Sequence, residues 1–188
     1  EMGSGVAGAG DVNRDGYDDI VIVAGPYDND QMDEGRAFAW YGGPDGLGAI
    51  GTPANADWVI ESNQVSAGFV SPCGVGDVNG DGYDDIMVGS TGYDAPEANE
   101  GRVWLYYGGA SGLSVAAAWT GESNQASADF SDIARAGDVN GDGYADIIVG
   151  ARRYDNGQAD EGVVFGWYGS SSGLGANGTP ANADWRYG

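Results

Sequence analysis

The sequence predicts an all-β fold, a β-propeller with three blades of four antiparallel strands each. Three observations predict this fold. One Asp- and Gly-rich motif occurs three times, at residues 10–22, 76–88 and 137–149. Further landmarks recur with the motif, at intervals of 66 and 61 residues. No segment shows a sustained helical period. Repeats of this length are single supersecondary units that stack on their neighbours, as propeller blades do.

Each repeat predicts four strands. The first consists of small residues and precedes the motif. The second follows the motif and is apolar on both faces, as expected of a strand buried on both sides. The third is rich in aromatic residues, and the fourth surrounds a tryptophan; these aromatic side chains can pack between blades. The predicted ranges, blade by blade, are 3–9, 19–24, 36–43 and 57–60; 69–75, 85–89, 102–109 and 118–121; 130–136, 146–150, 163–170 and 184–187.

The predicted blade boundaries divide the chain into residues 1–62, 63–123 and 124–188, which together form one propeller domain. Three blades do not close a ring, so the chain is expected to be half of a six-bladed ring or a piece of a larger propeller. Open blade faces would expose apolar surface, which single soluble chains avoid. Two partners remain open: a second copy that completes a six-bladed ring by head-to-tail association, or the remaining blades of a longer chain.

The composition excludes several classes of partner. The 188 residues include 29 acidic and 7 basic side chains, which give a net charge of −22. Such a charge argues against nucleic acid and against anionic membranes. No apolar run is long enough to span a bilayer, so membrane insertion is not expected. Cys73 is the single cysteine, which excludes an intrachain disulfide and predicts a buried, inert thiol.

The repeated motif predicts a calcium loop. It carries oxygen-bearing side chains at positions 1, 3, 5 and 9, which in the third copy are Asp138, Asn140, Asp142 and Asp146. Calcium prefers six to eight hard oxygen ligands in flexible geometry. Position 6 is Gly143, which permits the sharp turn that a residue with a Cβ would resist. The residue at position 7 is placed to offer its backbone carbonyl.

Two other interpretations of the motif are an EF-hand and a turn that binds no ion. An EF-hand needs a glutamate at position 12 followed by a helix, but position 12 here is apolar and lies in a strand-like run: Ile22, Val88 and Val149. An Asp/Asn/Gly turn that binds nothing is the second alternative, because these residues form turns by themselves. Three matching copies favour the calcium loop.

Variation among the copies separates ligand positions from others. Position 8 is Asp18 and Asp84 in the first two copies but Ala145 in the third, so it is not predicted to be a ligand. Position 4 is glycine in two copies and Arg14 in the first. A positively charged side chain at this position is compatible with a bound ion only if it points away from that ion.

The repeats resemble the FG-GAP family, which forms the propeller of integrin α-subunits and of many bacterial and fungal surface proteins. The resemblance rests on the motif with its following strand, as in residues 137–151, and covers essentially the whole chain. The Phe of the name is present as Phe69 and Phe130, whereas Met2 stands near that place in the first repeat. The resemblance implies that the loop joins the first two strands and binds calcium on one face of the propeller.

Carried over position by position, the resemblance implies three Ca²⁺ sites, one per blade, with tyrosine acting through its carbonyl. The implied ligands are Asp11, Asn13, Asp15, Tyr17 and Asp19; Asp77, Asn79, Asp81, Tyr83 and Asp85; Asp138, Asn140, Asp142, Tyr144 and Asp146.

The expected function is a calcium-stabilised binding or adhesion scaffold, extracellular or at the cell surface, with a protein or glycan ligand. Tyr27, Tyr93 and Tyr154, with their acidic loops and the aromatic third strands, are candidates for a binding surface; the other interpretation is interblade core and solvated loop. A lectin with sugar sites between blades and a structural subunit of a surface filament or oligomeric assembly remain alternatives. No catalytic residues are predicted and an enzyme is not expected, because histidine and lysine are absent and the repeated carboxylates are accounted for as ligands.

Overall fold

The computed structural model describes residues 3–188, so Met2 lies outside the described residues. The described residues form twelve strands and one 3-10 turn, Pro53–Asn55. The strands are β1 Gly5–Gly10, β2 Asp19–Ala24, β3 Arg36–Trp40, β4 Trp58–Glu61, β5 Val70–Gly76, β6 Asp85–Ser90, β7 Arg102–Tyr106, β8 Trp119–Glu122, β9 Phe130–Gly137, β10 Asp146–Ala151, β11 Val163–Trp167 and β12 Trp185–Tyr187.

These strands form three antiparallel sheets of four, each in chain order: β1 to β4, β5 to β8 and β9 to β12. We call them blades 1, 2 and 3. The first strands of neighbouring blades, β1 with β5 and β5 with β9, contact each other. Helix is almost absent, so the predicted all-β propeller fold is confirmed. The boundaries predicted at residues 62 and 123 stay a prediction.

The third strands are shorter than predicted. β3 ends at Trp40 and not at residue 43, because the next backbone N–H groups are taken by side chains. The N–H of Tyr41 donates to Asp57 Oδ2 at 2.8 Å, and that of Gly42 donates to Asp19 Oδ1 at 2.8 Å. Blade 3 repeats this arrangement after Trp167. Carboxylates therefore replace the sheet partner and end the strand.

The hydrophobic core lies between the blades. Successive side chains of a strand point to opposite faces, so the second strand of the central blade contacts both neighbouring blades. In β6, Ile86 and Val88 pack in a cluster with blade 1, whereas Met87 packs in a cluster with blade 3. The prediction that the second strand is buried on both faces is therefore confirmed for the central blade.

The tryptophans of the fourth strands connect adjacent blades. Trp58 packs edge-on against Tyr106 at a centroid distance of 5.1 Å, and Trp119 packs against Trp167 at 5.4 Å. Each indole N–H also donates to a backbone carbonyl of the following blade, at 2.8 Å in both cases. The predicted interblade role of these aromatic residues is confirmed.

Two further sequence predictions concern Cys73 and the membrane. Cys73 lies in β5 and is half-buried rather than buried, and burial raises the pKa of its thiol. In residues 3–188 no helix has the length and apolar character needed to cross a bilayer.

We expect Trp119→Ala to lower the free energy of unfolding by about 3–5 kcal/mol, because it removes a buried indole and leaves a cavity between blades 2 and 3. The control is Val115→Ala, an exposed position in the same blade, with an expected change below about 0.5 kcal/mol. Urea denaturation followed by tryptophan fluorescence and circular dichroism measures both. Equal stability of the two variants would contradict the interblade role of Trp119.

Candidate metal centres

Each motif forms the loop between the first and second strand of its blade. The glycine at position 6 has a positive φ in every loop: +93° at Gly16, +91° at Gly82 and +95° at Gly143. This region is strained for residues with a Cβ. The predicted need for glycine at this position is therefore confirmed.

The aspartate at position 1 shapes the loop backbone. In blade 3, Asp138 Oδ1 accepts the N–H groups of Gly141 at 2.7 Å and Asp142 at 3.0 Å, and Oδ2 accepts that of Gly143 at 2.9 Å. In the first two loops, the aspartate at position 1 likewise accepts the N–H groups of positions 5 and 6. The loop backbone therefore turns around the carboxylate at position 1.

Positions 3 and 5 belong to the same turn. Asn140 Oδ1 accepts the N–H of Asp142 at 2.9 Å, and the Asn140 amide donates to Asp142 Oδ2 at 2.9 Å. Asp142 Oδ1 in turn accepts the N–H of Tyr144 at 3.0 Å. The same bonds recur in the other two loops. The structure therefore gathers the side chains of positions 1, 3 and 5 on one exposed turn.

The aspartate at position 9 is buried at the start of the second strand. Asp85 Oδ2 accepts the N–H of Val78 at 2.9 Å, and Oδ1 accepts that of Gly108 at 3.0 Å. Asp19 and Asp146 make the same two bonds in their blades. This side chain therefore ties the loop to the end of the third strand, a role that sequence reasoning missed.

The electrostatics of the position 9 aspartates reflect burial and crowding. Desolvation is the main cause that raises the pKa of Asp85 to about 7, and the nearby carboxylates Asp81 and Asp77 add to it, while two backbone N–H bonds oppose it. Burial likewise raises the pKa of Asp19, with smaller contributions from Asp15 and Asp11. Carboxylates of one loop thus lie close enough to repel one another.

The donor chemistry of each loop suits a hard cation. Carboxylate, amide and carbonyl oxygens are the ligands that Ca²⁺ prefers, and no soft or nitrogen ligand is required. In the described part of the chain, however, no three or more His, Cys, Asp or Glu side chains converge closely enough to hold a metal ion. The loops bring the predicted ligands to one place but do not close them into a shell, and the ligand assignment stays a prediction.

The loops also join one blade to the next. Asp84, at position 8 in blade 2, accepts the N–H of Asp11 in blade 1 at 3.0 Å and donates its own N–H to the Asp11 carbonyl at 3.2 Å. In blade 3, Ala145 keeps the backbone half of this contact, because its N–H donates to the Asp77 carbonyl at 2.9 Å. Position 8 therefore contacts the preceding blade, which explains why alanine is tolerated there.

Arg14, the non-glycine residue at position 4, also reaches the neighbouring blade. Its backbone has a φ of +58°, and its guanidinium group lies against Gly82 in the loop of blade 2. The side chain is thus directed toward the next loop.

The three tyrosines considered for a binding surface pack against their own blades. Tyr27, Tyr93 and Tyr154 are half-buried and meet the aromatic ring of the third strand edge-on, at centroid distances of 5.8, 5.0 and 5.4 Å. Arg102 lies over the ring of Tyr93 at 4.5 Å. The structure therefore favours a packing role for these residues.

Glu34, in the acidic loop that follows Tyr27, is fully buried. Its Oε1 accepts three consecutive backbone N–H groups, those of residues 29, 30 and 31, at 3.2, 3.0 and 3.3 Å. This carboxylate organises the loop between β2 and β3 from the inside and is not part of an exposed binding surface.

Comparison with protein families agrees with this architecture. The model of the FG-GAP repeat matches residues 74–106 and 132–167, which contain the motif loop and the two strands that follow it in blades 2 and 3. The chain carries FG-GAP repeats. Blade 1 has the same strand order as the two matched blades, and its loop shares their bonds from position 2 to the position 9 aspartate and from position 6 to the position 1 aspartate.

The relatives of this FG-GAP chain include enzymes and integrins. It is 31% identical over 167 residues to phosphatidylinositol-glycan-specific phospholipase D of Bos taurus, covering 86% of this chain and 20% of the relative. It is 32% identical over 178 residues to integrin alpha-PS2 of Drosophila melanogaster, covering 86% and 12%, and 32% identical over 147 residues to integrin alpha-6 of Gallus gallus, covering 75% and 12%. The chain thus spans about one fifth or less of these relatives.

We expect Asp85→Ala to destabilise the protein even in excess chelator, by roughly 2–5 kcal/mol, because two backbone N–H groups lose their acceptor. The matched control is Asp81→Ala in the same loop, which is exposed and should cost less than about 1 kcal/mol without metal. Chemical denaturation in chelator measures both variants. If Asp85→Ala were as stable as Asp81→Ala, the proposed role of position 9 would be wrong.

Proposed function

We propose that this chain is a calcium-stabilised propeller scaffold for binding or adhesion, working outside the cell or at its surface. The observation that carries the proposal is the threefold repetition of one all-oxygen loop, hydrogen-bonded in the same way each time, at the point where adjacent blades meet. The likeness to integrin alpha chains supports an adhesion-type scaffold.

In this proposal each loop holds one Ca²⁺ through the side chains at positions 1, 3, 5 and 9 and the backbone carbonyl at position 7. The ion would supply positive charge to a cluster of carboxylates that otherwise repel one another. Asp77 and Asp81 would bring their free carboxylate lone pairs to the ion while keeping their bonds to the loop backbone. Asp85 would connect the site to the second and third strands. Closure of the loop would therefore stiffen the blade.

The proposed location follows from affinity and charge. Calcium sites of extracellular modules bind with dissociation constants of about 10⁻⁴–10⁻³ M, which suits a compartment with millimolar calcium. The chain carries a net charge of −22, and part of this charge would be neutralised when the three loops are filled. A calcium-poor compartment would leave the loop carboxylates without their counter-charge.

The proposed scaffold is not itself an enzyme, although some relatives are named as phospholipases. The match to those relatives runs over the part of this chain that carries FG-GAP repeats and covers 20% of the phospholipase of Bos taurus. Sugar binding at the two internal junctions is disfavoured, because Trp104, Tyr106 and Trp167 are buried there. A ligand is therefore proposed for the exposed edges of the blades.

We expect about 10 mM Ca²⁺ to raise the midpoint of thermal unfolding by on the order of 10 °C. Each loop with a dissociation constant of about 10⁻⁴–10⁻³ M would contribute roughly 1.4–2.7 kcal/mol at that concentration, and each kcal/mol shifts the midpoint by about 2–4 °C for a domain of this size. Scanning calorimetry in calcium and in chelator measures the shift. An unchanged midpoint would contradict calcium stabilisation.

The loop assignment is tested by combining Asp15→Asn, Asp81→Asn and Asp142→Asn. We expect this triple variant to lose most of the calcium-dependent shift, because each substitution removes a charged ligand. The matched control changes three exposed aspartates outside the loops by the same chemistry: Asp30→Asn, Asp45→Asn and Asp160→Asn. Calorimetric titration with calcium should give unchanged binding for the control. Equal loss in both triples would assign the effect to net charge.

The scaffold role predicts calcium-dependent attachment. Beads coated with the protein should bind to arrays of immobilised extracellular glycoproteins or glycans in calcium and detach in chelator, whereas beads with the loop triple variant should bind at most weakly. Binding to glycans that have been released from their proteins would favour a lectin. Attachment that is equal in calcium and chelator would contradict a calcium-dependent scaffold.

A further inference from the structure

Four asparagines in the sequence are followed directly by glycine: Asn79, Asn140, Asn156 and Asn177. In such a pair the backbone nitrogen of the glycine can attack Cγ of the asparagine side chain, because glycine has no Cβ to hinder the approach. The bond from this nitrogen to Cγ forms and the bond from Cγ to Nδ2 breaks, so that Nδ2 leaves as ammonia with the proton of the glycine N–H. Water then opens the cyclic imide to aspartate or isoaspartate.

Three of the four pairs are held by a hydrogen bond at the attacking nitrogen. The N–H groups of Gly80 and Gly141 each donate to the position 1 aspartate of their own motif, at 2.6 and 2.7 Å. The N–H of Gly178 donates to the Thr120 carbonyl across the junction between blades 2 and 3, at 2.8 Å. Attack by any of these nitrogens therefore requires a local opening that breaks the bond.

The asparagine side chains of the same three pairs are also fixed. The Asn79 amide donates to Asp81 Oδ2 at 3.0 Å, and Asn79 Oδ1 accepts the Asp81 N–H at 2.9 Å. Asn140 makes the corresponding two bonds in blade 3. Asn177 Oδ1 accepts the N–H of Thr120 at 3.3 Å. The folded chain thus restrains both reacting groups of these pairs.

The fourth pair, Asn156 and Gly157, lies in the loop between β10 and β11. Gly157 is exposed and has a φ of +122°. Its N–H donates to no protein group among residues 3–188, whereas the next N–H, that of Gln158, donates to Glu161 Oε2 at 3.0 Å. Within the same residues no atom lies within 4 Å of its Cβ direction. The attacking nitrogen of this pair is therefore free.

The openness of Gly157 belongs to the loop itself. Asp30 and Pro96 hold the place of Gly157 in blades 1 and 2, three residues after Tyr27 and Tyr93. Both are exposed although each of these blades is followed by another blade. Packing of a further blade therefore does not cover this position.

The Asn156 side chain is hydrogen-bonded to an arginine. A guanidinium N–H of Arg186, in β12, donates to Asn156 Oδ1. A donor at this oxygen polarises the carbonyl and stabilises the negative charge that develops on the oxygen during attack. Nδ2, the leaving nitrogen, makes no hydrogen bond to protein in the described part of the chain. Val59 and Thr120 take the place of Arg186 in the other blades, so this arrangement is specific to blade 3.

We propose that Asn156 is a site of spontaneous deamidation, with Gly157 as the source of the attacking nitrogen and Arg186 as the group that activates the side-chain carbonyl. Water is the only further reactant. The product is a carboxylate beside Arg186, which replaces a bond to a neutral amide by a charge-assisted one. The conversion adds one negative charge to a chain whose net charge is −22. The isoaspartate product also lengthens the backbone of this loop.

The first test compares the four pairs within one protein. The folded protein is incubated at neutral pH, and peptide mapping by mass spectrometry follows the conversion of each asparagine. Asn156 should convert at least about tenfold faster than each of the other three, because those pairs must first break a hydrogen bond. A folded protein in which Asn156 is not the fastest of the four would overturn the proposal.

A parallel incubation in guanidinium chloride removes the effect of the fold. Unfolding frees all four glycine nitrogens, so the four rates should become similar. If Asn156 kept its full lead in the unfolded chain, the lead would come from the local sequence and the proposal would be wrong.

The second test concerns Arg186. We expect Arg186→Ala to slow the conversion of Asn156 roughly three- to tenfold relative to that of Asn177 in the same chain, because an exposed donor is partly screened by water. The matched control is Arg152→Ala in the same blade, an exposed arginine that pairs with Asp129 and Asp132. Circular dichroism checks that both variants fold. An unchanged rate in Arg186→Ala, or equal slowing in the control, would overturn the role of Arg186.

Discussion

The buried carboxylate at position 9 of each motif is the interaction on which the rest of the structure depends. Asp85 accepts one N–H from its own loop and one from the residue that follows the third strand by two positions. A single side chain thereby holds the loop, begins the second strand and ends the third. Because it is buried, loss of this acceptor would leave two backbone N–H groups without compensation.

The loops connect ion chemistry to blade packing. The same segments that gather the oxygens of positions 1, 3 and 5 also donate and accept backbone bonds across the junction, as between Asp11 and Asp84. A cation that tightens a loop would therefore also stiffen the junction that the loop completes. This coupling gives a physical reason why a scaffold with a net charge of −22 would use calcium for stability.

Packing between blades, and not within them, supplies the core. The second strand of the central blade sends Ile86 and Val88 to one neighbour and Met87 to the other, so this strand takes part in the core on both sides of its blade.

Features that arise from contacts between near neighbours in the chain can be predicted from the residue pattern alone. Strand positions follow from the small-residue, apolar and aromatic segments of each repeat, and the need for Gly143 follows from the sharp turn within its own loop. Only the folded chain shows which residues meet across the junctions between blades. Asp84 is hydrogen-bonded to Asp11, and Tyr41 to Leu113, although the residues of these pairs are 73 and 72 positions apart in the sequence. A residue pattern records the side chain but not the distant backbone group that it meets, because that meeting depends on how the blades stack. The spacing of the motif predicts Asp85 as a ligand. Its buried hydrogen bonds to Val78 and Gly108 are seen only in the folded chain, because these two residues lie in separate segments.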